Sequence, residues 1–330
     1  MQRNDEAQMV FRDYQTIFCV EDGKESEKAL CSLVMTEYLP AIYHRKVDLG
    51  ARIDLLDECW AGQYESDFHL RILRGFILAA PWKKEILPRI EKIARYVVAK
   101  DVWGDRKKKN LYRHIIPAAL GFMARLALIE KDCIAARTVY LNYEFDNPEA
   151  DETWIKTNVR TPGRMLCQPA PSIDLQNWLH GRTPTLLPGG GAADRLILLH
   201  FTEIIDDDAL KSLQAMSSLA ELLSDKVQVV SFVPLSGDCY NPQTSGLRRG
   251  LSADVFREHI ADLTRDLSQP VGILDQGMKD PILARFHARS MPTMILIDRT
   301  GHIVAFAPAR AGTESAPSWE YGVEALAGDN

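Results

Sequence analysis

Leu196-Ile-Leu-Leu-His-Phe201 runs straight into Thr202-Glu-Ile-Ile-Asp-Asp-Asp-Ala209, after which Leu213, Met216, Leu219 and Leu223 share one helical face. The first six residues are apolar except for one histidine and show no polar alternation, which predicts a strand buried on both faces. A second apolar run, Val227–Val233, follows the helix. Together they make a strand–helix–strand unit, whose parallel strands should connect by a right-handed crossover.

Downstream, Ser252 is placed to cap a helix running to about Leu267, and Pro270-Val-Gly-Ile-Leu274 has the character of a short strand. Pro281 fits the first turn of a helix carrying Ile282, Leu283 and Phe286. Two further strands, Thr293–Asp298 and His302–Phe306, are joined by Arg299-Thr-Gly301, a hairpin signal. Upstream, Pro162, Pro169, Pro171, Pro184 and Pro188 with Gly189-Gly-Gly191 break any helix and predict a linker and an edge hairpin over 161–192, with alternation at Ile173 and Leu175.

Before residue 160 the apolar period is helical. Leu30, Leu33 and Val34, then Ile53 and Leu56, then Leu70, Leu73 and Ile77 mark three segments. Ile86, Ile90, Ile93 and Val97 form a cleaner stripe, and another helix is expected over about 110–129. Asp132 is a candidate N-cap for the next helix, which carries Ile134, Ala135 and Val139 on one side. The stretch from Leu126 to Asn147-Pro148 faintly resembles a tetratricopeptide unit, with no 34-residue self-match elsewhere. The expected architecture is an all-α helical-hairpin domain over 1–160 and an α/β domain over 193–330, a central mixed sheet flanked by helices.

The chain has 330 residues, 46% apolar and 25% charged, with a net charge of −6. That balance gives no reason to expect a nucleic-acid or anionic-membrane partner. Arg106-Lys-Lys-Lys109 lacks interleaved aromatics and is taken as a solvated loop. The longest apolar stretch, Ile115 to Ile129, is interrupted by Pro117, Gly121 and Arg125 and is too short to span a bilayer. The polar start contains no signal core, so the expectation is cytoplasmic as written, periplasmic or exported if a leader was removed. Six cysteines (Cys19, Cys31, Cys59, Cys133, Cys167, Cys239) show neither Cys-x-x-Cys nor zinc-type spacing. Most sit in apolar helical patterns, as small core residues do, and a reducing compartment fits that best.

Residues 165–307 resemble the thioredoxin-like thiol–disulfide oxidoreductases of the TlpA/ResA type, related to the peroxiredoxins. Gln168-Pro-Ala-Pro-Ser-Ile-Asp-Leu175 is similar to that family's lead-in segment and Trp178-Leu-His-Gly181 to the turn after it. Leu196–Phe201 matches the strand before the active site, and Ser290-Met-Pro-Thr293, Met294-Ile-Leu-Ile-Asp298 and Gly301 match the stretch that carries the cis-proline. The resemblance implies a thioredoxin-like fold with Pro292 cis. It also locates a departure. Where the family reads Phe-Trp-Ala-x-Trp-Cys-x-x-Cys, this chain keeps only Phe201, and the two cysteine positions are Asp206 and Ala209. No thiolate is left there to attack a disulfide, and no second thiol to resolve one. Carboxylates at a helix start cap free N–H groups and raise the cost of ionising any thiol brought near.

Cys239, in Ser236-Gly-Asp-Cys-Tyr-Asn-Pro242, lies just past the second strand, at the edge where open α/β sheets place their ligands. It is either an inert loop cysteine or the single thiol of a redox enzyme or sensor. Cys167 is taken as inert in the same way. His200 with Glu203, Asp206, Asp207 and Asp208 could be drawn as a hard-metal cluster, but capping already accounts for the aspartates, so no metal and no cofactor is expected. His259 and His287 are assigned to packing or solvent, and no phosphate loop is present, since Gly189-Gly-Gly191 precedes a strand. The main-chain groups beside Pro292 remain able to hold an extended peptide by strand addition, which puts Met291, Pro292 and Thr293 forward as a peptide-binding site. The resulting expectation is a non-catalytic protein-binding or structural module whose partner is a protein or peptide at the Pro292 groove or the helical domain. Single-thiol chemistry at Cys239, or other chemistry between the domains, is the alternative.

Overall fold

The computed structural model describes residues 87–99, 103, 112–113, 115–175, 177–180, 194–288, 291–308 and 323. The three helical segments expected before residue 80, Cys19, Cys31, Cys59, the Arg106–Lys109 run and Gly189-Gly-Gly191 lie outside them. The chain divides into two compact units, Met1–Ala79 and Ala80–Asn330. All of the described residues belong to the second.

Its sheet has six strands: β1 (Trp178–His180), β2 (Leu196–Phe201), β3 (Val227–Pro234), β6 (Val271–Leu274), β7 (Thr293–Ile297) and β8 (Ile303–Pro308). Their order is β1-β6-β3-β2-β7-β8. β2 pairs parallel with β3, and β3 parallel with β6, while β7, β8 and β1 run antiparallel to their neighbours. β2 is central, and all six of its residues are buried, as the unbroken apolar run requires. A small separate hairpin, β4 (Cys239–Asn241) with β5 (Gly246–Arg248), follows β3.

Side chains alternate across the sheet. Ile197, Leu199 and Phe201 enter one core with Val230, Phe232, Ile295 and residues of the short helix that begins at Pro281. Phe201 stacks on Phe232 with ring centroids 5.0 Å apart. On the other face lie two helices, Asp207–Leu222 and Ala253–Thr264. Leu210, Leu213, Phe256 and Ile260 pack there with Val233, Val271 and Ile273. Ser252 caps the second of these helices through Val255 N–H, as anticipated.

The segment before β1 behaves as a strap. At one end Ile303 N–H donates to the Gln168 carbonyl at 2.9 Å, and Pro169 bridges His302 beside β8. At the other end β1 adds antiparallel to β6. Between them Ala170, Ile173, Leu175 and Trp178 pack on the first core, so the chain crosses the whole sheet over one face. Gly272 in β6 suits this crossing, since a Cβ there would overlap the end of the Leu175 side chain and make it shift. Within the described residues this stretch is one long crossing that ends in one short strand, and the rest of the expected edge hairpin, 181–192, lies outside them.

The helical elements are α1 (Leu87–Val98), α2 (Ile116–Ile129), α3 (Cys133–Asp146), α4 (Glu152–Ile155) and α5 (Thr161–Met165). α1 buries Ile90, Ile93 and Val97 of the stripe read from the sequence, whose first member, Ile86, lies outside the described residues. Asp132 caps α3 by accepting Ala135 N–H at 2.8 Å. The buried face of α3 differs from expectation: Ala136, Tyr140 and Tyr143 are inside, and Ile134 is 80% exposed. Tyrosines weigh little in an apolar count but bury well when the hydroxyl finds a partner, and Tyr143 OH accepts from Trp103 Nε1–H at 3.1 Å. Pro162 does not break the helix as its type predicts. A π-helical turn, Lys156–Arg160, joins α4 to α5, and Pro162 falls in the first turn after it, where its missing N–H costs least.

Cys133, the first residue of α3, is disulfide-bonded to Cys167 in the strap, with Cα atoms 5.9 Å apart. The sequence reading takes most of the cysteines as small core residues and Cys167 as inert. The pairing corrects that assignment, because spacing along the chain carries no information about which cysteines meet in space.

Candidate functional site

Phe201 at the end of β2 pairs with Thr293 at the start of β7. This brings the Thr202–Asp206 loop and the Met291–Pro292 turn to one end of the sheet. β3 ends there too, since Thr202 N–H donates to the Phe232 carbonyl at 3.0 Å. The hairpin β4–β5 closes on the loop through Tyr240 N–H, which donates to the Ile204 carbonyl at 2.7 Å.

Asp206 is the N-cap of the helix Asp207–Leu222, here α6. Its Oδ1 accepts Ala209 N–H at 2.8 Å. Asp207 forms an ion pair with Lys211 one turn later. Two of the three aspartates are thus engaged with their own helix, the arrangement that the helix dipole favours. Glu203 is half-buried, and burial, with the Asp238 charge nearby, raises its carboxyl above the usual range. This end of the sheet is acidic and disfavours an anion.

His200 does not join that acidic group. Its ring is fully buried under α6, with Nε2 3.2 Å from Ser212 Oγ and Nδ1 3.4 Å from Ser231 Oγ. Gln269 reaches the same Ser231 hydroxyl and donates to the Leu213 carbonyl at 3.1 Å. Burial lowers the His200 pKa to about 4, so the imidazole is neutral near pH 7. Among the described residues no three His, Cys, Asp or Glu side chains are grouped to hold a metal. The buried His200–Ser212–Ser231–Gln269 cluster was not foreseen. Its only trace is hydroxyls and an amide at positions where the apolar period asks for aliphatic side chains.

Cys239 belongs to strand β4 and is buried against Ile204, Leu210 and Phe256. Its Sγ donates weakly to the Tyr240 carbonyl at 3.6 Å. Burial pushes the thiol up to about 12, with Arg248, its cross-strand neighbour, opposing this only in part. A cation does lie beside it, though from across the hairpin and not along the chain. His259 Nε2 contacts the Tyr240 carbonyl at 3.1 Å, a packing role.

Met291 is half-buried against the first core, Pro292 is half-buried, and Thr293 is buried in the ladder between β2 and β8. The Met291–Pro292 peptide bond is cis. A parallel β2–α6–β3 unit, a β7–β8 hairpin antiparallel to it and an X-Pro turn at the sheet end from which the loop to α6 leaves complete the pattern. The fold is thioredoxin-like.

Comparison with solved structures gives low-identity likenesses over part of the chain. The chain is similar to a thioredoxin-like superfamily protein at 15% identity, covering 49% of this chain and 97% of that one, with TM-score 0.36. It is also similar to the thioredoxin domain of a thiol-disulfide oxidoreductase from Bacteroides vulgatus, at 14% identity, 47% and 95% coverage and TM-score 0.33. A thiol-disulfide isomerase from Corynebacterium glutamicum is similar at 13% identity, 42% and 84% coverage and TM-score 0.31. No protein family's sequence profile and no curated protein matches the chain. Among the described residues no helix is long and apolar enough to cross a membrane.

Proposed function

We propose that this thioredoxin-like chain performs no thiol–disulfide turnover at the usual site and serves as a protein-binding or structural module. The observation that carries this reading is the Asp206 Oδ1 bond to Ala209 N–H at 2.8 Å. The helix start that would stabilise a thiolate is occupied by the chain's own carboxylate. The ligand is an extended peptide laid beside Met291, Pro292 and Thr293, held by main-chain hydrogen bonds of the strand-addition kind. Met291 supports this, because a flexible thioether adapts to varied apolar side chains. Cys239 gains no support as an alternative thiol, since a buried group with a pKa near 12 is scarcely ionised at neutral pH. The Cys133–Cys167 bond argues for an oxidising compartment, hence for export, over the reducing cytoplasm read from the cysteine spacing.

Two measurements test this. In an insulin-reduction assay the wild-type chain is expected to show no turnover above background, and robust turnover lost in Cys239→Ser would overturn the reading. A library of displayed peptides panned on the full chain should enrich extended apolar sequences, and Pro292→Ala should lose them while keeping its melting temperature within a few degrees. Equal enrichment on both proteins would remove the groove from the proposal.

A further inference from the structure

The geometry points to the Cys133–Cys167 disulfide as a thiol-exchange site, open to a dithiol reductant in the native protein and set apart from the old motif position. The inference is independent of the peptide-groove reading.

Position is the first ground. Cys133 is an exposed residue, the first of a helix of 14 residues, and Cys167 is half-buried in the strap. Cys133 is therefore the residue of the pair more open to an incoming thiolate. The bond also lies at the opposite end of β8 from the Pro292 turn, since Cys167 N–H donates to the carbonyl of Ile303, where β8 begins.

The second ground is that neither half depends on the bond for its anchorage. α3 holds its place through buried Ala136, Tyr140 and Tyr143 and its Asp132 cap. Arg160 adds ion pairs from the π-helical turn to Glu144 on α3 and to Glu152. The strap is pinned separately by Cys167 N–H to the Ile303 carbonyl at 2.7 Å, Ile303 N–H to the Gln168 carbonyl at 2.9 Å and Ala170 N–H to the Gly301 carbonyl at 2.8 Å. Opening the bond frees two local segments and leaves the sheet intact, in contrast to a staple on which the core depends.

A thiolate of the dithiol attacks Cys133 Sγ, the S–S bond breaks, and Cys167 leaves as a thiolate and is protonated. The reductant's second thiol, once deprotonated, attacks its own sulfur in the mixed disulfide and expels the Cys133 thiolate. The reductant becomes a cyclic disulfide, losing two electrons and two protons, which the two cysteines gain. The last leaving group is the Cys133 thiolate, in the first turn of α3. Asp132, next to it in sequence, already has Oδ1 engaged with Ala135 N–H.

The test treats the full-length chain with dithiothreitol under native conditions, then labels with a maleimide and maps the labels by peptide mass spectrometry. Labels at both Cys133 and Cys167, with Cys239 protected, are expected before any loss of native circular dichroism. Amide hydrogen exchange should then quicken in 131–137 and 166–170 and stay unchanged in β2 and β3. Cys133→Ser should remain folded and show the exchange pattern of the reduced wild type with or without reductant. Labelling that begins only at the denaturant concentration that unfolds the sheet would overturn the inference. So would free thiols at these positions in unreduced protein, or a Cys133→Ser chain that fails to fold.

Discussion

His200 occupies the one polar position of β2, and its surroundings give the protein a defined response to acid. The folded state binds a proton there only near pH 4, whereas an unfolded histidine titrates near 6.5. Between those values the unfolded chain carries more protons, so stability falls as pH falls through this window and the contribution is gone below it. The shift corresponds to about 3 kcal/mol. Urea denaturation at pH 7 and pH 4 should show that loss in the wild type and a flatter profile in His200→Gln, whose amide can still meet Ser212 and Ser231. An identical pH profile in both would assign the acid sensitivity elsewhere. The cap at Asp206 acts in the same currency on a smaller scale. Asp206→Ala is expected to lose about 1 kcal/mol in urea melts, and Asp206→Asn much less, because an amide oxygen also accepts from Ala209 N–H.

At the level of elements, what could be read in advance followed from local rules. The buried run of β2, the caps at Asp132 and Ser252, Pro281 in the first turn and the Gly301 turn are each decided within a few neighbouring residues, and each stands where expected. The inner face of α3 did not follow, because it is built on Tyr140 and Tyr143, which an apolar period does not count, and Tyr143 is buried against Trp154 with its hydroxyl on Trp103. The strands β4 and β5, three residues each, are too short for any period to register. The Cys133–Cys167 pairing and the β1–β6 pairing join distant parts of the chain, so neither has a local signature. These long-range features have measurable weight. Removing a cross-link with a sequence separation of 34 should cost about 4 kcal/mol on the chain-entropy account, read as a lower urea midpoint in Cys167→Ser. Gly272→Ala forces a methyl group into Leu175 beneath the strap and should cost about 1–3 kcal/mol in thermal melts.

Across the whole molecule, the strap lies over strands that come later in sequence. Ile173, Leu175 and Trp178 pack on a surface made by β3, β6 and β8, and the last of these ends at Pro308. As the chain leaves the ribosome, this greasy stretch is therefore made long before its resting place exists. Contacts of such separation are slow to close and leave apolar groups uncovered meanwhile. Pulse-labelling hydrogen exchange during refolding should find 173–180 among the last amides to be shielded, after β2 and β3. A helper that binds nascent apolar segments would thus be needed most after β1 has been synthesised and before β8 has.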